Sequence, residues 1–189
     1  RALADAGKGG EALRTYLGAA RDYASAGAPW DSLDARVDAL AHFAEAGDRA
    51  GFEELASEIL ADASQRGDDP RAGEVVGNTW FELGRGRLIL KDAPGSLEAY
   101  EASLELWVGL GRRVEQGQTL YSMALPHLAL FEFEGAFHDL VAALEIAVET
   151  GDSGSILAIR QQLGEVRELV RKSGRPSPEV PEHLLGWLH

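Results

Sequence analysis

Residues 71–111 read RAGEVVGNTWFELGRGRLILKDAPGSLEAYEASLELWVGLG, and the fold follows from how this stretch repeats. In its second half, Leu97, Tyr100, Leu104 and Trp107 recur at helical spacing, with alanines at the positions of close approach. Leu90-Lys91-Asp92 marks a tight turn, Asp92 ahead of Pro94 starts a helix, and Gly111 stops it. The stretch is a helix, a turn and a second helix.

The same punctuation extends in both directions. Gly27, Gly67, Gly111 and Gly151 each close an apolar-periodic segment, at separations of 40, 44 and 40 residues. Gly7, Gly47, Lys91 and Phe131 follow the same steps and mark the tighter turns. Two interleaved series with one period describe a repeated helical pair of about 40 residues. Residues 49–65 carry Phe52, Leu55, Ala56, Ile59, Leu60 and Ala63 at helical spacing, and residues 135–148 carry Phe137, Leu140, Val141, Leu144 and Ile146. No segment alternates with a period of two. About nine helices and no sheet are expected. The four-residue excess of the middle repeat falls in the loop Gly67–Arg71 or in a longer first helix.

Within the repeats, Trp80, Leu83, Gly84, Ser96, Tyr100, Ser103 and Leu104 stand where the tetratricopeptide repeat places Trp, Leu, Gly, Ala, an aromatic, Ala and Leu. Leu120, Met123, Ala124, Ala136, Leu140, Ala143 and Leu144 occupy the same sites one repeat later. Arg36, Ala39, Leu40, Phe52, Ala56, Ile59 and Leu60 do so one repeat earlier, and Leu163-Gly164 restore the Leu-Gly pair. The chain resembles this family in its ~40-residue variety, which occurs in sensor regions of bacterial regulators and signalling ATPases. The resemblance implies an all-α fold, a right-handed α–α superhelix, with a repeat array over residues 1–172 whose first repeat is truncated. Residues 173–189 form a linker and a short capping helix, in which Leu184, Leu185, Trp187 and Leu188 lie across the open end. Gly84, or its equivalent Ala124, lets the two helices of a pair approach, while Tyr100 or Leu140 fills the adjoining gap. Without an initiator Met, the chain is expected to continue a longer protein.

Composition narrows the function. The 189 residues carry a net charge of −13, which opposes nucleic acid or an anionic membrane as partner. No run reaches the ~18 apolar residues of a membrane span, and without cysteine there are no disulfides, zinc ribbons or thiol nucleophiles. A cytoplasmic location is the expectation.

Catalytic signatures are missing: there is no phosphate-binding GxxxxGK[ST], no GxGxxG, no HExxH and no GxSxG. His42, His127, His138, His183 and His189 are scattered. His127 and His138 fall on paired helices, with Glu132 and Glu134 as the nearby third ligands a metal would need. The reading is no metal, no cofactor and no enzyme. Acidic groups such as Glu53, Glu54 and Glu58 read as solvated helix faces. Trp80 and Trp107 read as core, Trp187 as part of the lid, and Trp30 as either a staple or an exposed contact. Pro126, inside the helix 113–130, reads as a tolerated kink or as a device that frees a carbonyl near Ser122.

Charge placement remains. Residues 50–65, 92–111 and 114–159 contain no Lys or Arg, so second helices are purely acidic where charged. Arg71, Arg85, Arg87, Arg112, Arg113, Arg160, Arg167 and Arg171 lie on first helices or their entries, where they either line a groove or pair with neighbouring acids. In the tetratricopeptide superhelix the first helices line the concave face. The resemblance therefore implies a peptide-binding groove at Asn78, Phe81, Arg85, Gln118, Tyr121, Leu125, Gln161 and Glu165. The partner is expected to be a protein or peptide segment that is acidic or ends in a carboxylate, held by Arg85 with Arg112 or Arg113. The alternative is a ligand- or peptide-sensing regulatory domain of a larger bacterial transcription regulator or signalling ATPase.

Overall fold

The computed structural model describes residues 2–67, 69–176 and 178–188, with side chains from residue 10 onward. His189 lies outside them. Among the described residues there are eight α-helices, a C-terminal 3-10 helix and no strand. The helices are α1 (Ala2–Ser25), α2 (Pro29–Glu45), α3 (Arg49–Ser64), α4 (Pro70–Ile89), α5 (Ala93–Gly109), α6 (Arg113–Ala129), α7 (Phe133–Thr150) and α8 (Ser153–Lys172). The 3-10 helix spans Glu182–Leu188. Helices pack on their neighbours in sequence, as in a helical repeat.

The turns are made where the two series fall. Gly27, Gly47, Gly67, Gly111 and Gly151 all have positive φ, as do the non-glycine residues Lys91 (φ 66) and Phe131 (φ 62). A left-handed residue just past a helix end lets the last carbonyls find N–H partners: the amide of Gly151, for example, donates to Val148 O. Gly7 departs from the series. Helix α1 runs through it, because glycine permits the left-handed conformation without requiring it. The excess of the middle repeat is divided: α4 has 20 residues against 17 in α2 and α6, and one further residue lies between Gly67 and the Asp69 cap.

Contacts divide the chain into two compact units, up to Leu106 and from Trp107. In the first, Leu33, Leu40, Phe52, Ile59 and Val75 make the core. Helices α4 and α5 are brought close by small residues. A Cβ on Gly84 would lie 2.7 Å from the Tyr100 ring, the Ser96 hydroxyl donates to Gly84 O at 2.6 Å, and that of Ser103 donates to Gly77 O at 2.9 Å. Trp80 is only partly buried, and Leu104 is half-buried rather than central, so Tyr100 fills this layer.

In the second unit, Phe137, Leu140, Leu144, Ile159, Leu163 and Val166 form the core, and Leu184 closes it at 1% exposure beside Val180 and Leu188. The lid is thus narrower than expected. Leu185 and Trp187 are 44% and 45% exposed, because a short 3-10 helix presents only one side inward. Pro126 is buried within an uninterrupted α6.

Candidate binding cleft

Two of the groove residues, Asn78 and Phe81, open onto a cleft of about 390 Å³ between α2 and α4 in the first unit. Its walls repeat. Asp34 and Asn78, Val37 and Phe81, and Asp38 and Glu82 are each separated by the 44 residues of the middle repeat, and all six line the cleft. Arg71, Glu74 and Val75 complete it. Spacings of three and four residues along each helix set these side chains on one face, so two equivalent helix faces oppose each other. The residues on α2 were not selected from the sequence. The signal was nonetheless present, since stepping Asn78 and Phe81 back by one repeat gives Asp34 and Val37.

The cleft holds four carboxylates against one guanidinium. That guanidinium is engaged: Arg71 donates to Asp34 Oδ2 at 2.9 Å and lies 5.7 Å from the centroid of the Trp30 ring. Trp30 in turn donates its indole N–H to Asp69 at 3.1 Å and carries Arg66 over the ring at 5.4 Å. It is therefore a polar, cation-bearing corner of the unit. Burial raises the Glu82 carboxyl above the ordinary range, outweighing Arg85, and Asp38 adds to the rise. Burial also raises Asp34 against the opposing pull of Arg71, with Asp31 and Asp38 adding smaller contributions.

Arg85 does not face an open ligand site unencumbered. Its Nη2 lies 3.0 Å from Glu82 Oε2, one turn earlier on the same helix, in an ion pair whose angles fall short of a hydrogen bond. Three other first-helix arginines pair across helices. Arg36 donates to Glu58 and Asp62, Arg87 forks onto both oxygens of Glu53 at 3.0 and 2.9 Å, and Arg113 reaches Glu149. Each of these joins a first helix to the acidic face of a second helix. Part of the charge segregation along the chain is thus cross-helix pairing, and in the first unit the first-helix face at the cleft is acidic.

The remaining groove residues belong to the second unit. Gln118, Tyr121 and Leu125 share one side of α6; Tyr121 packs partly on the core and Leu125 is 49% exposed. On α8, Gln161 donates to Glu165 at 3.3 Å. His127 does not pair with His138. Its Nδ1 faces Glu132 at 2.8 Å and its Nε2 faces Asp139 at 3.2 Å, while His138 sits exposed, its ring edge-on to Phe137. Among the described residues no three His, Asp or Glu side chains are placed to hold a metal ion, and no helix is long and apolar enough to cross a membrane.

No model of a known protein family matches the chain, and no curated protein matches it.

Proposed function

We propose that this chain is a non-catalytic interaction module, a tetratricopeptide-like repeat that takes a peptide or an extended partner segment along its first helices. The observation that carries the reading is the cleft between α2 and α4, whose walls are built from repeat-equivalent residues. A repeated wall offers the same recognition element at successive steps, which suits a ligand that is itself a chain. The cleft's size also lies within the ~300–1,000 Å³ of sites for small ligands, which supports a second reading as the sensing domain of a bacterial signalling protein.

The test is selection from a displayed peptide library, followed by titration calorimetry. Asn78 is exposed, so Asn78→Ala leaves the core alone and is expected to weaken a selected peptide several-fold. Selected peptides whose affinity ignores both Asn78→Ala and Asp34→Asn bind elsewhere, and that result removes the cleft from the proposal.

A further inference from the structure

We infer that the occupant of the α2–α4 cleft is a basic peptide segment, with Lys or Arg set beside an apolar side chain. The inference rests on the interaction reading above and reverses the charge expected from the arginines. Asp34, Asp38, Glu74 and Glu82 face one cavity; Arg71, the only cation among its described walls, is held by Asp34 and Trp30, and Arg85 stands beside Glu82. Asp38 forms no ion pair among the described residues, and its charge disfavours ionisation of both Asp34 and Glu82. A guanidinium or ammonium group placed between them relieves that repulsion. An acidic ligand would add to it.

The apolar part of the recognition comes from the same walls. Val37 and Val75 lie at the cleft's floor, 7% and 2% exposed. Phe81, edge-on to Tyr100 at 5.4 Å between centroids, offers the rest of its ring to the cavity. An aromatic ring beside carboxylates favours the alkyl stem and charged head of Lys or Arg. The net charge of −13 acts in the same direction, concentrating a basic partner at long range and making its association salt-sensitive.

The experiment measures calorimetric affinities of three matched nine-residue peptides, with Leu at the centre flanked by Lys/Arg, by Glu/Asp or by Ser/Gln. The basic peptide is expected to bind tightest. Asp38→Asn, on the surface of α2, is expected to weaken it by about threefold or more, as loss of a charge pair does. A control variant, Glu98→Gln with Glu101→Gln and Glu105→Gln on the exposed face of α5, is expected to leave it within about twofold. Equal losses in the two variants mean diffuse attraction to an acidic protein and overturn the assignment. Tighter binding of the acidic or neutral peptide, still sensitive to Asn78→Ala, overturns the charge inference while keeping the interaction reading. Binding of none of the three removes both.

Discussion

Gly84 shows how a single missing methyl sets a layer of the structure. Its would-be Cβ meets three Tyr100 ring atoms at 2.7–2.8 Å, and Tyr100 is 2% exposed, so the ring has no room to yield. The equivalent positions are filled differently, by Ala124 with Leu140 in one core and by Leu40 with Ala56 in the other, all four at 0–1% exposure. Gly84→Ala is therefore expected to destabilise by about 1–3 kcal/mol, despite alanine's better helix propensity. Adding Tyr100→Leu copies the Ala124–Leu140 solution and is expected to recover most of the loss in urea midpoints. Failure to recover any of it would place the strain elsewhere. Lys91 and Phe131 carry the opposite defect, a side chain in a left-handed turn that its neighbours in the series give to glycine. Lys91→Gly is expected to stabilise by up to about 1 kcal/mol, the left-handed penalty less the entropy of glycine. A loss of stability would mean that the lysine makes a contact outweighing its backbone.

At the scale of elements, the electrostatics of opposing helices decide pH behaviour. Glu82 is raised by burial between α2 and α4, so its neutral form is favoured by folding. The stability it contributes is complete below the carboxyl's unfolded value and is lost as pH rises through the higher folded one. Glu82→Gln is then expected to stabilise at neutral pH by about 1 kcal/mol, with the advantage vanishing in acid. A difference independent of pH across unfolding curves from pH 4 to 8 would contradict this. The cap at the start of α5 has the other sign. Asp92 is lowered chiefly by the Gly95 amide that donates to it, so its contribution is present at neutral pH and lost as pH falls through its depressed value. Between α3 and α4, Arg87 forks onto both carboxylate oxygens of Glu53 and also donates to Gly95 O.

At the scale of the whole molecule, each compact unit keeps its own core, and the second is closed by one residue of the last element. Leu184→Ala is expected to destabilise by about 2–3 kcal/mol, as for a fully buried leucine. Trp187→Ala, at 45% exposure three residues on, is expected to change stability by less than about 0.5 kcal/mol. Thermal melts of the two variants distinguish them, and equal losses would show that the whole segment, rather than Leu184, closes the core.

The sequence by itself determined the elements and their period, because helix stops and turns are local. Seven of the eight marked turn residues adopt positive φ, and even Lys91 and Phe131, which have no propensity for it, were betrayed by their place in the series. Gly7 escaped for the same reason: a local preference is permissive, and nothing nearby stops the helix. The close approach at Gly84 was also legible, since the repeat brings it opposite Tyr100. What only the tertiary structure decided was the destination of charge. Whether Arg36 or Arg87 faces a ligand or a carboxylate depends on which acids a neighbouring helix brings into reach, and side chains that long cross an interface that no single-helix pattern describes; Arg85 pairs instead with Glu82 of its own helix. The acidic character of the cleft arose there too, from Asp34 and Asp38 on one helix meeting Glu74 and Glu82 on the next.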